Sequence, residues 1–201
     1  MTVLGRLYRH RGAASAAEFA LVLPLLLIFL FGIIDAGRFM WEYNRAEKAT
    51  QMGARFAVVA DPAATGLSTY SFSLNGGITQ GTAVPTSSFD YAVCTDTNCD
   101  TCVGSFCGNI GYSNTAFRNI VDRMKLMYPP IDYDNVQVEY RNVGLGFAGN
   151  PDGPDVSALV TVRLTNLTFQ PITCLVFPCS INMPDFSAGL TLEDATGSVS
   201  N

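Results

Sequence analysis

Histidine is almost missing from this chain: there is one residue in 201, His10, close to the N-terminus. Beyond it no imidazole exists for a serine or cysteine triad, which removes the commonest nucleophilic hydrolases from consideration. No glycine-rich phosphate loop follows a strand and opens a helix, and nothing singles out two of the scattered carboxylates for glycoside hydrolysis. An enzyme is not expected, and no cofactor or metal with it. Acidic side chains are missing from the first 17 residues, where Arg6, Arg9, His10 and Arg11 are unopposed. Charge of either sign is missing from residues 19–34, and cysteine from everything before Cys94.

What fills the uncharged stretch is apolar. Residues 11–39 read RGAASAAEFALVLPLLLIFLFGIIDAGRF. Counting back through 13–17 from the apolar run gives roughly 22 residues, or about 33 Å of helix, which matches the hydrocarbon thickness of a bilayer. The arginines ahead of it place residues 1–12 in the cytoplasm and everything after Ile34 outside. A cleavable secretory signal would need two small residues at a cut beyond the apolar core. A cut after Ala36 puts Ile34 at the upstream position and a cut after Gly37 puts Asp35 there, so the segment is expected to stay on the mature chain.

Glu18 makes the segment more than an anchor. A carboxylate at the centre of a membrane helix costs about 2.5–3.5 kcal/mol on insertion scales and usually has a partner. Headgroup depth or protonation are the other ways to accommodate it. Pro24 lies inside the apolar helix, where it removes one backbone hydrogen bond and favours a local bend or a melted turn.

The pattern Gly12-Ala-Ala-Ser-Ala-Ala-Glu18-Phe-Ala-Leu-Val-Leu-Pro24, with Gly32-Ile-Ile-Asp-Ala-Gly37-Arg38 and Ala54-Arg55-Phe56-Ala57 after it, resembles the TadE-like pseudopilins of Tad (Flp) tight-adherence pili. The resemblance implies a minor pilin whose basic leader is cut by a prepilin peptidase on the cytoplasmic side of the apolar segment. It implies a prepilin cleavage region spanning Gly12, Ala13 and Ala14, with Glu18 pairing to the N-terminal amine of a neighbouring subunit. A cut after Gly12 makes Glu18 the sixth mature residue; a cut after Ala13 makes it the fifth, which is the pilin position. The implied partners are the peptidase, other Tad pilins and pseudopilins, and the inner-membrane assembly platform, with a host or surface ligand for an adhesive fibre. The implied location is the bacterial inner membrane in a single pass, head periplasmic, and extracellular once built into a pilus. Three regions follow: a leader 1–12, a membrane and extended helix 13–60, and an exported head 61–201.

Past the membrane the helix is expected to continue. Asp35, Arg38, Glu42 and Arg45 recur at three- and four-residue spacing and read as a solvated face with mutual ion pairs. Phe39, Trp41 and Tyr43 read as an aromatic belt at the outer headgroups. Phe39, Tyr43, Ala46, Ala49, Gly53, Phe56 and Ala60 form a helical stripe that becomes small toward its end, suited to close approach by another element. Asp61-Pro62 then ends the helix.

The head reads as α+β, a second helix packed on a small antiparallel sheet. Residues 63–81 read as loop with a short strand. The second helix covers residues 115–128, capped by Ser113 or Asn114, with Phe117, Ile120, Val121, Met124 and Met127 buried. Strands are predicted over 136–140, 156–166 and 186–192, the first two joined by a glycine-rich hairpin loop over 144–155.

All six cysteines, Cys94, Cys99, Cys102, Cys107, Cys174 and Cys179, fall outside the membrane. An even count in an exported domain predicts disulfides, although six cysteines allow 15 pairings and the sequence does not choose among them. Cys174 and Cys179 are close enough to close a local loop. A four-thiolate zinc site over Cys94–Cys107 would need reduced thiols, and Cys99-Asp-Thr-Cys102 lacks the context of a redox motif. Asp96-x-Asn98-x-Asp100 begins like a calcium loop, but Thr101 and Cys107 occupy the positions of the turn glycine and the bidentate glutamate. Asp152-Gly-Pro-Asp155 and Asp132-Tyr-Asp134-Asn135 read as turn chemistry.

Without Arg6, Arg9 and Arg11, nine basic residues face 17 acidic ones, a side-chain charge near −8. That surface repels phosphate, so nucleic acid is not an expected partner. The competing reading is an uncleaved single-pass membrane protein with a disulfide-stapled periplasmic binding domain unrelated to pili.

Overall fold

A computed structural model describes residues 11–175 and 179–192. Residues 1–10, 176–178 and 193–201, and with them most of the basic leader, lie outside the described residues. The first element, α1, is a single 47-residue helix from Arg11 to Ala57 that contains Pro24. Hydrogen-bonded turns carry the chain on to Ala60, just short of the Asp61-Pro62 break.

The remaining elements are β1 (Ala64–Thr65), β2 (Tyr91–Cys94), β3 (Thr101–Val103), β4 (Gly111–Tyr112), α2 (Asn114–Lys125), β5 (Val136–Arg141), β6 (Leu159–Leu164), β7 (Thr168–Phe169), β8 (Ile181–Asn182) and β9 (Phe186–Thr191). The main sheet is antiparallel with the order β3-β2-β5-β6-β9. Two short pairings, β1 with β4 and β7 with β8, complete the topology. The fold is α+β: a long apolar helix, a second helix, small antiparallel sheets and three disulfides.

The chain divides into two compact units. One holds the helix through Trp41 together with Thr168–Ile181, and the other holds Glu42–Leu167 and the chain from Asn182 onward.

The core of the larger unit follows from alternation in the strands. Val136, Val138, Tyr140, Val160, Val162 and Leu164 point to one face and are buried. Residues between them on the strands, Gln137, Thr161 and Arg163, stay at least partly in solvent. Ala46, Ala49, Ala54 and Ala57 of α1 are buried too, so the small stripe of the helix lies inward. A Cβ placed on Gly53 would come 2.7 Å from both Cγ and Sδ of Met124 on α2, and 3.4 Å from a Val162 methyl. Glycine here leaves room for the Met124 side chain of a second helix to lie against the α1 backbone.

Helix α2 begins where Ser113 accepts a hydrogen bond from the Ala116 N–H at 3.2 Å, and Arg123 and Lys125 in its last turn suit the negative end of its dipole. Its far end is held by α1. Arg45 Nε donates to the Met127 carbonyl at 2.9 Å, and the Tyr128 hydroxyl donates to Glu42 at 3.2 Å. Burial first, and then the Glu42 carboxylate, push the Tyr128 phenol up to about 12, so it keeps its proton for that bond. Tyr140 is fully buried, its ionisation pushed upward by desolvation, and its oxygen accepts from the Ala63 N–H at 2.8 Å.

The segment between Cys94 and Cys107 is joined to the main sheet. β2 and β3 form a hairpin, and β2 pairs with β5 from Tyr91 opposite Arg141 to Cys94 opposite Val138. Beneath the long loops Tyr70, Phe72, Phe89 and Phe106 form an aromatic cluster with ring centroids 4.6–5.7 Å apart. Strand β6 is shorter than the predicted 156–166: Val156 and Ala158 are buried but lie ahead of the ladder, and past its end Asn166 adopts a left-handed φ of 58°.

Candidate functional site: the N-terminal helix

Gly12, Ala13, Ala14, Glu18 and Pro24 all lie on α1, in one unbroken helical stretch. Glu18 is exposed, and among the described residues no hydrogen bond or ion pair reaches it. After it comes an apolar surface with almost nothing on it. Leu21 is 80 % exposed, Leu25 74 % and Phe29 71 %, and the helix is long and apolar enough to cross a membrane. A carboxylate at the start of such a surface needs a partner or a headgroup once the helix is in lipid. The helix is continuous on both sides of Pro24, although the missing N–H still leaves the Ala20 carbonyl without its usual donor.

Asp35 behaves differently from the expected solvated face. It is 6 % exposed. One carboxylate oxygen accepts from the Ile172 N–H at 2.7 Å, and the other accepts from the Thr173 N–H and the Thr173 hydroxyl, both at 2.9 Å. The donors open a short 3-10 turn, Ile172–Leu175, whose free N–H groups attract an anion. Arg38 lies 3.4 Å from the same carboxylate and holds its guanidinium 5.3 Å from the Phe169 ring centroid. The expected Asp35–Arg38 pair exists, but its face is covered by chain rather than by water. Glu42 and Arg45 are likewise engaged, with the end of α2.

The aromatic belt is corrected in the same way. Phe39 packs edge-on against Phe169 at 5.4 Å, and in the other unit Tyr43 packs against Phe186 at 4.9 Å. Trp41 is 59 % exposed. Periodicity identified residues sharing a face; it carried no information about what lies on that face.

Asp35 is the residue whose role the sequence concealed, because its partners stand 137 and 138 positions away. Asp35→Ala is expected to speed amide exchange at Ile172 and Thr173 by at least about tenfold, since two N–H groups lose a charged acceptor. Asp35→Asn should fall between the two. Hydrogen exchange read by mass spectrometry decides it, and unchanged exchange in the alanine variant would refute the clamp.

The six cysteines form three bonds, Cys94–Cys99, Cys102–Cys107 and Cys174–Cys179, each spanning five positions. Among the described residues no cysteine is free, and no group of histidine, cysteine and carboxylate is arranged to hold a metal. Asp96 does not form a calcium loop: its backbone carbonyl accepts from the Tyr112 hydroxyl at 2.7 Å, and its side chain lies 3.8 Å from Arg118. Asp155, assigned to a turn, is a buried tie that accepts the N–H of Phe72 at 2.6 Å and of Asn150 at 3.0 Å.

Residues 12–55 match the family model described as TadE-like protein. The match begins at Gly12, includes Glu18, Pro24 and Asp35, and ends inside the small stripe that packs on α2. No curated protein and no solved structure matches the chain.

Proposed function

We propose that the protein is a minor pilin or pseudopilin of a Tad pilus, which assembles through α1 and carries its disulfide-bonded α+β region as an exported head. The observation that carries this reading is the TadE-like match over residues 12–55, which falls on an exposed apolar helix bearing a single carboxylate near its start. In this reading a prepilin peptidase removes the basic leader at Gly12, Ala13 or Ala14. With Ala13 or Ala14 at the new N-terminus, the amine lies five or four positions before Glu18. Desolvated separately, an ammonium and a carboxylate are each costly; brought together between neighbouring helices, each offsets the other's loss of water. Pro24 gives the packed helix a place to bend where one backbone bond is already absent.

The regions 1–12, 13–60 and 61–201 become leader, assembly helix and head, in a bacterial inner membrane with the head on the periplasmic side. Other pilins, pseudopilins and the assembly platform are the partners, and adhesion to a surface is the purpose of the fibre. No part of this reading needs catalysis.

The test is the mature N-terminus. Mass spectrometry of the chain from piliated cells should find it starting at Ala13 or Ala14, and starting at Met1 when the prepilin peptidase is deleted. A chain beginning at Met1 in piliated cells would overturn the proposal and favour an uncleaved membrane protein.

A further inference from the structure

Glycine follows an asparagine or an aspartate at two places in the chain, Asn75-Gly76 and Asp152-Gly153. Such a pair can react with itself. Glycine has no side chain to keep its nitrogen away from the carbonyl carbon of the preceding side chain, so a five-membered imide closes there with little steric resistance. In an unfolded chain asparagine is the faster of the two, because a carboxylate must take up a proton before its carbon can be attacked. The fold treats the two pairs differently.

At Asn75 the backbone is held. Asn75 donates its N–H to the Ser71 carbonyl at 2.9 Å and Gly76 donates to the Phe72 carbonyl at 3.1 Å, two consecutive bonds of α-helical spacing. A Cβ built on Gly76 would lie 2.7 Å from the Phe72 carbonyl oxygen and 3.1 Å from its Cα, so this glycine sits hard against the turn. Phe72 is itself buried in the aromatic cluster, and its N–H donates to Asp155. Closing an imide at Asn75 would pull the Gly76 nitrogen out of its hydrogen bond and the turn off its anchor.

At Asp152 the reacting atoms are open to water. Asp152 and Gly153 are both exposed, and among the described residues no hydrogen bond reaches the Gly153 N–H. A Cβ on Gly153 would meet a single atom, Asn150 Nδ2, at 3.5 Å. Asp152 donates its own N–H to the Asn150 side-chain oxygen at 3.2 Å, a bond that involves neither its carboxylate nor the Gly153 nitrogen. The residues on either side are tied down. Buried Asp155 accepts the N–H of Asn150 at 3.0 Å and that of Phe72 at 2.6 Å, so the open pair lies within a short loop closed by the Asn150–Asp155 bond.

We propose that Asp152 is a site of spontaneous isoaspartate formation, that the fold protects Asn75 from the corresponding reaction, and that isomerisation at 152 loosens the Asp155 tie. The Gly153 nitrogen attacks Cγ of the protonated Asp152 carboxyl; the N–Cγ bond forms, a C–O bond breaks, and the hydroxyl leaves with the amide proton as water. Water then opens the imide. Addition at the main-chain carbonyl breaks that carbon's bond to nitrogen and leaves the backbone running through Cβ and Cγ, one methylene longer, with a free α-carboxylate. No oxidant or reductant takes part, and mass and formal charge are unchanged. The extra methylene falls between Asn150 and Asp155, whose mutual bond depends on the length of chain joining them. The chemistry is independent of whether α1 assembles with pilins.

The full chain in detergent micelles is aged at physiological temperature and pH, then mapped with an endoproteinase that cleaves before aspartate but not before isoaspartate. Isoaspartate should accumulate at 152 faster than Asn75 converts to an acid. In denaturant the order should invert, with the Asn75 rate rising at least about tenfold, since a hydrogen-bonded amide reacts only from locally opened states. Gly153→Ala, whose Cβ has room, should suppress the reaction at 152 while the melting temperature stays close to that of the parent. In isomerised chains amide exchange at Phe72 and Asn150 should quicken by at least about tenfold, and aged Gly153→Ala should exchange like fresh protein. Any of four results would overturn the proposal: no isoaspartate at 152, faster reaction at Asn75 in the folded chain, equal accumulation in Gly153→Ala, or unchanged exchange at Phe72 and Asn150 once 152 has isomerised.

Discussion

Glu18→Ala is expected to leave the chain in the membrane, in equal or greater amount, and to reduce its incorporation into pili at least about a hundredfold, the scale of a lost buried charge pair worth some 3 kcal/mol. The two halves of that result have one cause. A carboxylate in the apolar helix opposes insertion by about 2.5–3.5 kcal/mol when it sits deep, so its removal favours the membrane-embedded subunit. In the proposed pairing, the same removal would leave a neighbour's terminal ammonium without a counter-charge. Glu18→Gln should behave like alanine in assembly, because an amide keeps the shape and loses the charge. Membrane fractionation and pilus counts by electron microscopy read the two halves separately. Normal piliation by Glu18→Ala would end the charge-pairing role, whereas poor insertion would show that the residue serves the membrane step instead.

The second large effect belongs to the head. Gly53→Leu is expected to cost more than about 3 kcal/mol of head stability, at the upper end of overpacking penalties. A Cβ alone already reaches 2.7 Å from the Met124 side chain, and the rest of a leucine would be driven into Val162 and the sheet behind it. Gly53→Ala is a graded control. It gains about 1 kcal/mol of helix propensity and needs only a flexible thioether to move, so it should lie near neutral. Thermal melting of the three chains orders them, and a leucine variant as stable as the parent would show that α1 does not pack on α2 as described.

The same glycine shows what a sequence can and cannot convey. The small stripe through Ala46, Ala49 and Gly53 predicted close approach by another element, because small residues at helical spacing have few other uses. It did not identify Met124, which lies 71 positions further along. Helix α2 and strands β5 and β6 were visible because each is amphipathic with its own period, and each has a cap, a proline pair or a glycine-rich loop nearby. β2 and β3 were hidden because a four-residue and a three-residue strand, each carrying one cysteine, are too short to establish a period. The long apolar helix was legible through local composition. Asp35 was not, since on its own helix it looks like any carboxylate one turn before an arginine. Only the distant segment that supplies its donors distinguishes a clamp from a surface ion pair, and that pairing is a property of the folded chain.

Each disulfide joins cysteines five positions apart, so no long detour of the chain is pinned by any of them. Closing so short a ring restricts the unfolded chain by about 2 kcal/mol on the loop-entropy scale, less than a bridge across the whole domain would. Such an arrangement suits a polypeptide that crosses a membrane end first. Each pair emerges almost together, and its two thiols are neighbours before the next cysteine arrives. Were the head exported as proposed, correct partners would be chosen by order of arrival and the bonds could form as the chain is threaded out, with little need for later reshuffling.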